Sequence, residues 1–78
     1  MTRVRLGDWT CPSGNNVVVY AEIHATDEAV LRMQWDTPPP LRPADEIYYR
    51  AVIRPAALAL AAEYMERPMR RTLLLELQ

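Results

Sequence analysis

Alternation of apolar and polar positions dominates the first half of the chain. In Val17-Val18-Val19-Tyr20-Ala21-Glu22-Ile23-His24 the odd positions carry Val, Val, Ala and Ile, and the even ones Val, Tyr, Glu and His. In Ala29-Val30-Leu31-Arg32-Met33-Gln34-Trp35-Asp36 the odd positions carry Ala, Leu, Met and Trp, and the even ones Val, Arg, Gln and Asp. A period of two is the mark of a half-buried strand. The short polar stretch Ala25-Thr26-Asp27-Glu28 between the two runs predicts an antiparallel hairpin. Residues 3–10 read as a weaker strand, with Val4 and Leu6 pointing one way and Arg3, Arg5 and Trp9 the other. Pro12-Ser13-Gly14-Asn15-Asn16 then supplies turn chemistry, since Gly and Asn tolerate positive φ. The simplest assembly is a three-stranded meander.

The pattern changes at Thr37-Pro38-Pro39-Pro40-Leu41-Arg42-Pro43. Proline cannot donate to a strand ladder, so this run ends the sheet as a stiff, extended connector. Its Pro-x-x-Pro spacing is common by chance, and a rigid linker is the reading taken. Pro43-Ala44-Asp45-Glu46 reads as a first helical turn, with proline at the start and acids facing the positive end of the helix dipole. Glu46, Arg50 and Arg54 follow at i, i+4 spacing. These signals predict a long helix to about Arg67, kinked or divided at Pro55. An alternative makes residues 47–53 a fourth strand, which their β-branched and aromatic content favours. Residues 70–77 predict a last strand with Leu73, Leu75 and Leu77 on one face. The resulting fold class is α+β: a small two-layer β-β-β-α-β domain spanning residues 1–78, with one long helix across one face of the sheet.

On an ideal helix at about 100° per residue, Ile47, Tyr48, Ala51, Val52, Leu58, Ala59, Ala62 and Met65 share a broad face. This is the expected core side. Val52 and Leu58 there should pack against Val19, Ile23, Leu31, Met33, Leu73 and Leu75 from the strands. Tyr49, Ile53, Leu60 and Tyr64 cluster on a different side, within about 60° of one another. One sheet covers one side of a helix, so these four form a leftover apolar stripe, expected to mediate homodimerisation or contact with another protein.

Size sharpens that expectation. At 78 residues, burial of apolar surface contributes about 120 kcal/mol, against a similar conformational cost of about 1.5 kcal/mol per residue. So narrow a margin gains from a partner or a second copy. Hydrophobic residues make up 50% and charged residues 24%, which is the globular range and argues against disorder. No apolar run is long enough to span a membrane, and the N-terminus lacks the apolar core of a signal peptide. The expected location is cytoplasmic. All nine basic residues are arginine, which suits forked recognition of carboxylate or phosphate, but a GC-rich coding sequence is the reading taken. The net charge of −1 gives no overall pull toward nucleic acid.

Candidate chemistry is sparse. The chain has one Ser (Ser13), one His (His24) and one Cys (Cys11). The meander sets His24 about 26 Å from the first turn, too far for a Ser–His or Cys–His pair. One Cys and one His cannot build a structural zinc site, and two glycines cannot build a phosphate loop. The expectation is therefore a protein with no catalytic residues, no metal and no cofactor. Compact single-domain chains without site chemistry are typical of phage and mobile-element products, including anti-CRISPR inhibitors. The functional expectation is a non-enzymatic protein-binding inhibitor or adaptor of that general kind. Two alternatives remain open. The outer sheet face, with Arg3, Arg5, Trp9, Tyr20 and Arg32, could bind RNA or single-stranded nucleic acid by stacking and phosphate contacts. The chain could also be a small subunit of a larger enzyme assembly.

Overall fold

The computed structural model describes residues 1–25, 28–64 and the backbone of 72–77. Strand β1 (Thr2–Thr10), β2 (Asn16–Ile23) and β3 (Glu28–Trp35) form an antiparallel meander. Strand β4 (Thr72–Leu77) pairs in parallel with β3, giving the order β1-β2-β3-β4. Helix α1 (Pro43–Tyr48), a wide turn (Tyr49–Ile53) and α2 (Arg54–Glu63) form one continuous helix of 21 residues. The molecule is an α+β domain, and residues 47–53 are helical. No helix among the described residues is long and apolar enough to cross a membrane. The expected helix end near Arg67 and the side chains of Leu73 and Leu75 lie outside the described residues.

The alternating runs form the strands because each buries one face. Val17, Val19 and Ala21 of β2 and Leu31, Met33 and Trp35 of β3 point into the core, which the helix closes with Tyr49, Ile53, Ala57 and Ala61. Val19, Leu31 and Met33 have no exposed surface, and Ile23 packs against the cluster from its edge. The alanines at 57 and 61 let the helix backbone approach closely, so the larger sheet side chains fill the interior.

Two expectations are corrected here. First, Val52 is 40% exposed and Ile47 is 69% exposed, whereas Tyr49 and Ile53 are 5% and 0% exposed. The helix is turned the opposite way from the expected phase, although Tyr48 and Leu58 keep half-buried places against the core. The reason lies at Pro55. In an unbroken α-helix its ring would press on the Ala51 carbonyl and leave it without a donor. The chain instead widens before the proline, and the Arg54 N–H donates to the Tyr49 carbonyl five residues back. Three steps of four residues drift about 120° around an ideal helix, and one residue absorbed in a wide turn takes back about 100° of that. Tyr49, Ile53, Ala57 and Ala61 thereby fall into one line.

Second, Trp9 packs against the core instead of joining Arg3 and Arg5 outside. The register of β1 on β2 slips between Arg5 and Gly7, so Arg5 faces Tyr20 but Gly7 faces Val19. Leu6 is the extra residue of a β-bulge, and the bulge inverts the alternation of everything after it. Gly7 has a packing reason too, because a β-carbon there would stand 3.3 Å from the Trp9 ring.

Candidate functional site

Three surfaces of the described residues bear on the expected sites. The first is the outer face of the sheet. Arg3 lies with its guanidinium carbon 4.0 Å from the centre of the Tyr20 ring. Arg5 pairs with Asp8 at 3.1 Å and Arg32 with Glu22 at 3.2 Å. Arg3, Arg5, Tyr20 and Arg32 are therefore brought together as expected, without Trp9. The only aromatic ring of that set left outside already has a cation stacked on it. Two of its three arginines are matched by carboxylates. A stacking platform needs an open ring and unpaired cations; here Arg3 covers one face of the Tyr20 ring, and Arg5 and Arg32 are paired.

The second is the seam where the β1–β2 turn meets the start of the helix. Gly14 adopts φ +90°, a conformation glycine takes without strain, and its N–H donates to the Cys11 carbonyl at 2.8 Å. That turn presents Ser13 and Asn15 to the connector. Asn15 donates to the Thr37 carbonyl at 3.0 Å and accepts from the Thr37 N–H at 2.8 Å. The Ser13 hydroxyl donates to one oxygen of Asp45, and the Ser13 N–H donates to the other at 3.2 Å. Asp45 is only 1% exposed. It stands in the first helical turn, where the dipole also favours a negative charge. The seam thus fastens both ends of the proline connector, and the adjoining cavity measures about 420 Å³. Cys11 is buried beside it, and burial first, then the charge of Asp45, pushes its thiol above the ordinary value. A protonated, enclosed thiol is a poor nucleophile. His24 follows Ile23, which pairs with Thr2, while Ser13 lies beyond the Thr10–Asn16 pair. The two are at opposite ends of the hairpin. No group of three or more metal-binding side chains occurs among the described residues. The sequence reading missed Asp45 because its partner is 32 positions away.

The third is the helix. Of the expected stripe Tyr49, Ile53, Leu60 and Tyr64, the first two are core residues and unavailable to a partner. Leu60 is half-buried, and Tyr64 is 55% exposed. Ile47 and Val52 are exposed in place of Tyr49 and Ile53, and Tyr64 stays exposed. Ile47, Ala51, Pro55 and Ala59 form one exposed row; in the neighbouring row Val52 and Tyr64 are exposed, Ala56 and Leu60 are half-buried, and Tyr48 packs against the core. Neither row contains a charged residue before Glu63. The charges instead gather on the far flank, where Arg50 reaches Glu46 at 2.9 Å.

Comparison with known proteins gives no significant match to a family model, to a curated protein or to a solved structure.

Proposed function

We propose that this protein is a small protein-binding module that works by surface contact, as an inhibitor or adaptor, without catalysing a reaction. The observation that supports this is the outward helix face. Ile47 and Val52 on the helix, and Tyr64 just past its last residue, are large exposed apolar side chains, and Ala51, Pro55 and Ala59 extend the same charge-free surface. Apolar and aromatic side chains with charge excluded from the centre are the composition of interface cores. Scattered surface apolars are ordinary, but here the exposed row from Ile47 to Ala59 has Val52 beside it and no charge within it, and clustered apolar surface of that kind marks contact sites.

A photo-crosslinking residue placed at position 47, and separately at 52, tests the reading in cells of origin. Both positions should trap one common protein, or a second copy of this chain. A crosslinker at Gln34 on the exposed outer sheet face should not. Val52→Glu should remove the adduct formed from position 47 while changing stability by less than about 0.5 kcal/mol, as expected for an exposed site. Adducts with nucleic acid, or equal trapping from position 34, would contradict the proposal. So would salt-sensitive binding to a mixed oligonucleotide pool, which would favour the nucleic-acid alternative.

A further inference from the structure

A groove of about 640 Å³ runs between the proline connector and the charged flank of the helix. Its size is that of a pocket for a short peptide segment or a small ligand. Pro39, Pro40 and Leu41 give it an apolar lining, and the peptide bond between Pro39 and Pro40 is cis. Glu46, Arg50 and Arg54 contribute the charges. Arg50 is committed to Glu46 at 2.9 Å. Arg54, one turn further along, makes no ion pair or hydrogen bond with any described residue. Tyr49 also lines the groove; it is 5% exposed, and its hydroxyl is buried with no hydrogen-bond partner among the described residues. Burial pushes that phenol above its ordinary value and the charge of Arg54 opposes the rise, so the guanidinium lies within electrostatic reach of the ring.

We propose that this groove binds an acidic side chain of a polypeptide partner, with the carboxylate on Arg54 and an adjoining apolar residue against Pro39, Pro40 and Leu41. The Glu46–Arg50 pair performs the same recognition within the chain, one turn earlier. Two guanidiniums and one carboxylate leave the groove a net charge of +1. That balance suits a single carboxylate better than a phosphate group carrying about −1.5 to −2. A planar guanidinium fork then supplies orientation as well as charge. This deepens the proposed function, resting on the partner being a protein, and gives that partner an acidic contact residue beside its apolar ones.

The test is a titration of the intact chain with acetyl-Leu-Glu-amide, followed at the arginine Nε resonances. Arg54 should shift saturably. Acetyl-Leu-Gln-amide at the same concentrations should leave it unmoved, and sodium phosphate should move it less. Arg54→Gln, an exposed substitution whose fold is checked by circular dichroism, should abolish the saturable response of the neighbouring Tyr49 ring. Arg42→Gln, outside this groove, should preserve it. Equal shifts from the glutamine peptide or from phosphate would overturn the assignment, as would a Tyr49 response that survives Arg54→Gln. Neither peptide nor variant involves Ile47 or Val52, so failure here leaves the crosslinking result at those positions standing on its own.

Discussion

Ile53→Ala should destabilise the protein by about 2–5 kcal/mol, the range for truncating a buried isoleucine where the surroundings relax only in part. Ile53 has no exposed surface and stands in the helix line that faces Val17, Val19, Leu31 and Met33. In a domain this small each kcal/mol moves Tm by about 4–8 °C, so the melting temperature should fall by roughly 10 °C or more. Ile47→Ala is the internal comparison. It removes the same atoms from a side chain that is 69% exposed, and it should stay within about 0.5 kcal/mol. Denaturant unfolding of the two variants decides between the two helix phases. A large loss at 47 with little at 53 would show that the outward face is the core.

The second large effect is expected at Asp45. Asp45→Ala removes a buried acceptor that takes both the hydroxyl and the N–H of Ser13. Hydrogen bonds to a charged group contribute about 1.5–3 kcal/mol net, and the Ser13 donors lose their partner as well. A fall in stability of that size is expected, with a smaller one for Ser13→Ala, because the hydroxyl is lost but the N–H remains. The two substitutions should be non-additive by at least about 0.5 kcal/mol, as residues in one hydrogen-bond network are. Additive effects would mean that the seam does not fasten the turn to the helix.

Much of this architecture was legible in the sequence, and the exceptions have specific causes. The β2–β3 hairpin was readable because Val17 to Ile23 and Ala29 to Trp35 alternate without interruption, and nothing in either strand resets the phase. The helix start was readable because Pro43 has a fixed φ suited to the first turn. The phase of the helix was not. Ile47 and Val52 on one side are as apolar as Tyr49 and Ile53 on the other, so periodicity on an ideal helix had no basis for choosing between them. The wide turn forced by Pro55 then moved the rows away from their ideal angles. Trp9 was misplaced for a related reason, since one bulged residue inverts a strand. Gly7 carried the available signal, because an isolated glycine within a strand pattern marks such a bulge. The seam at Ser13 and Asp45 and the groove beside Arg54 depend on the chain folding back through the proline connector. No local pattern encodes that meeting.

The outward face of the helix carries both the proposed function and the corrected fold, and the three isoleucines of the chain report on it together. In a spectrum selective for isoleucine δ-methyl groups, a soluble paramagnetic agent should broaden the Ile47 signal strongly, reach Ile23 in part, and leave Ile53 sharp. A protected Ile47 beside a broadened Ile53 would contradict the account.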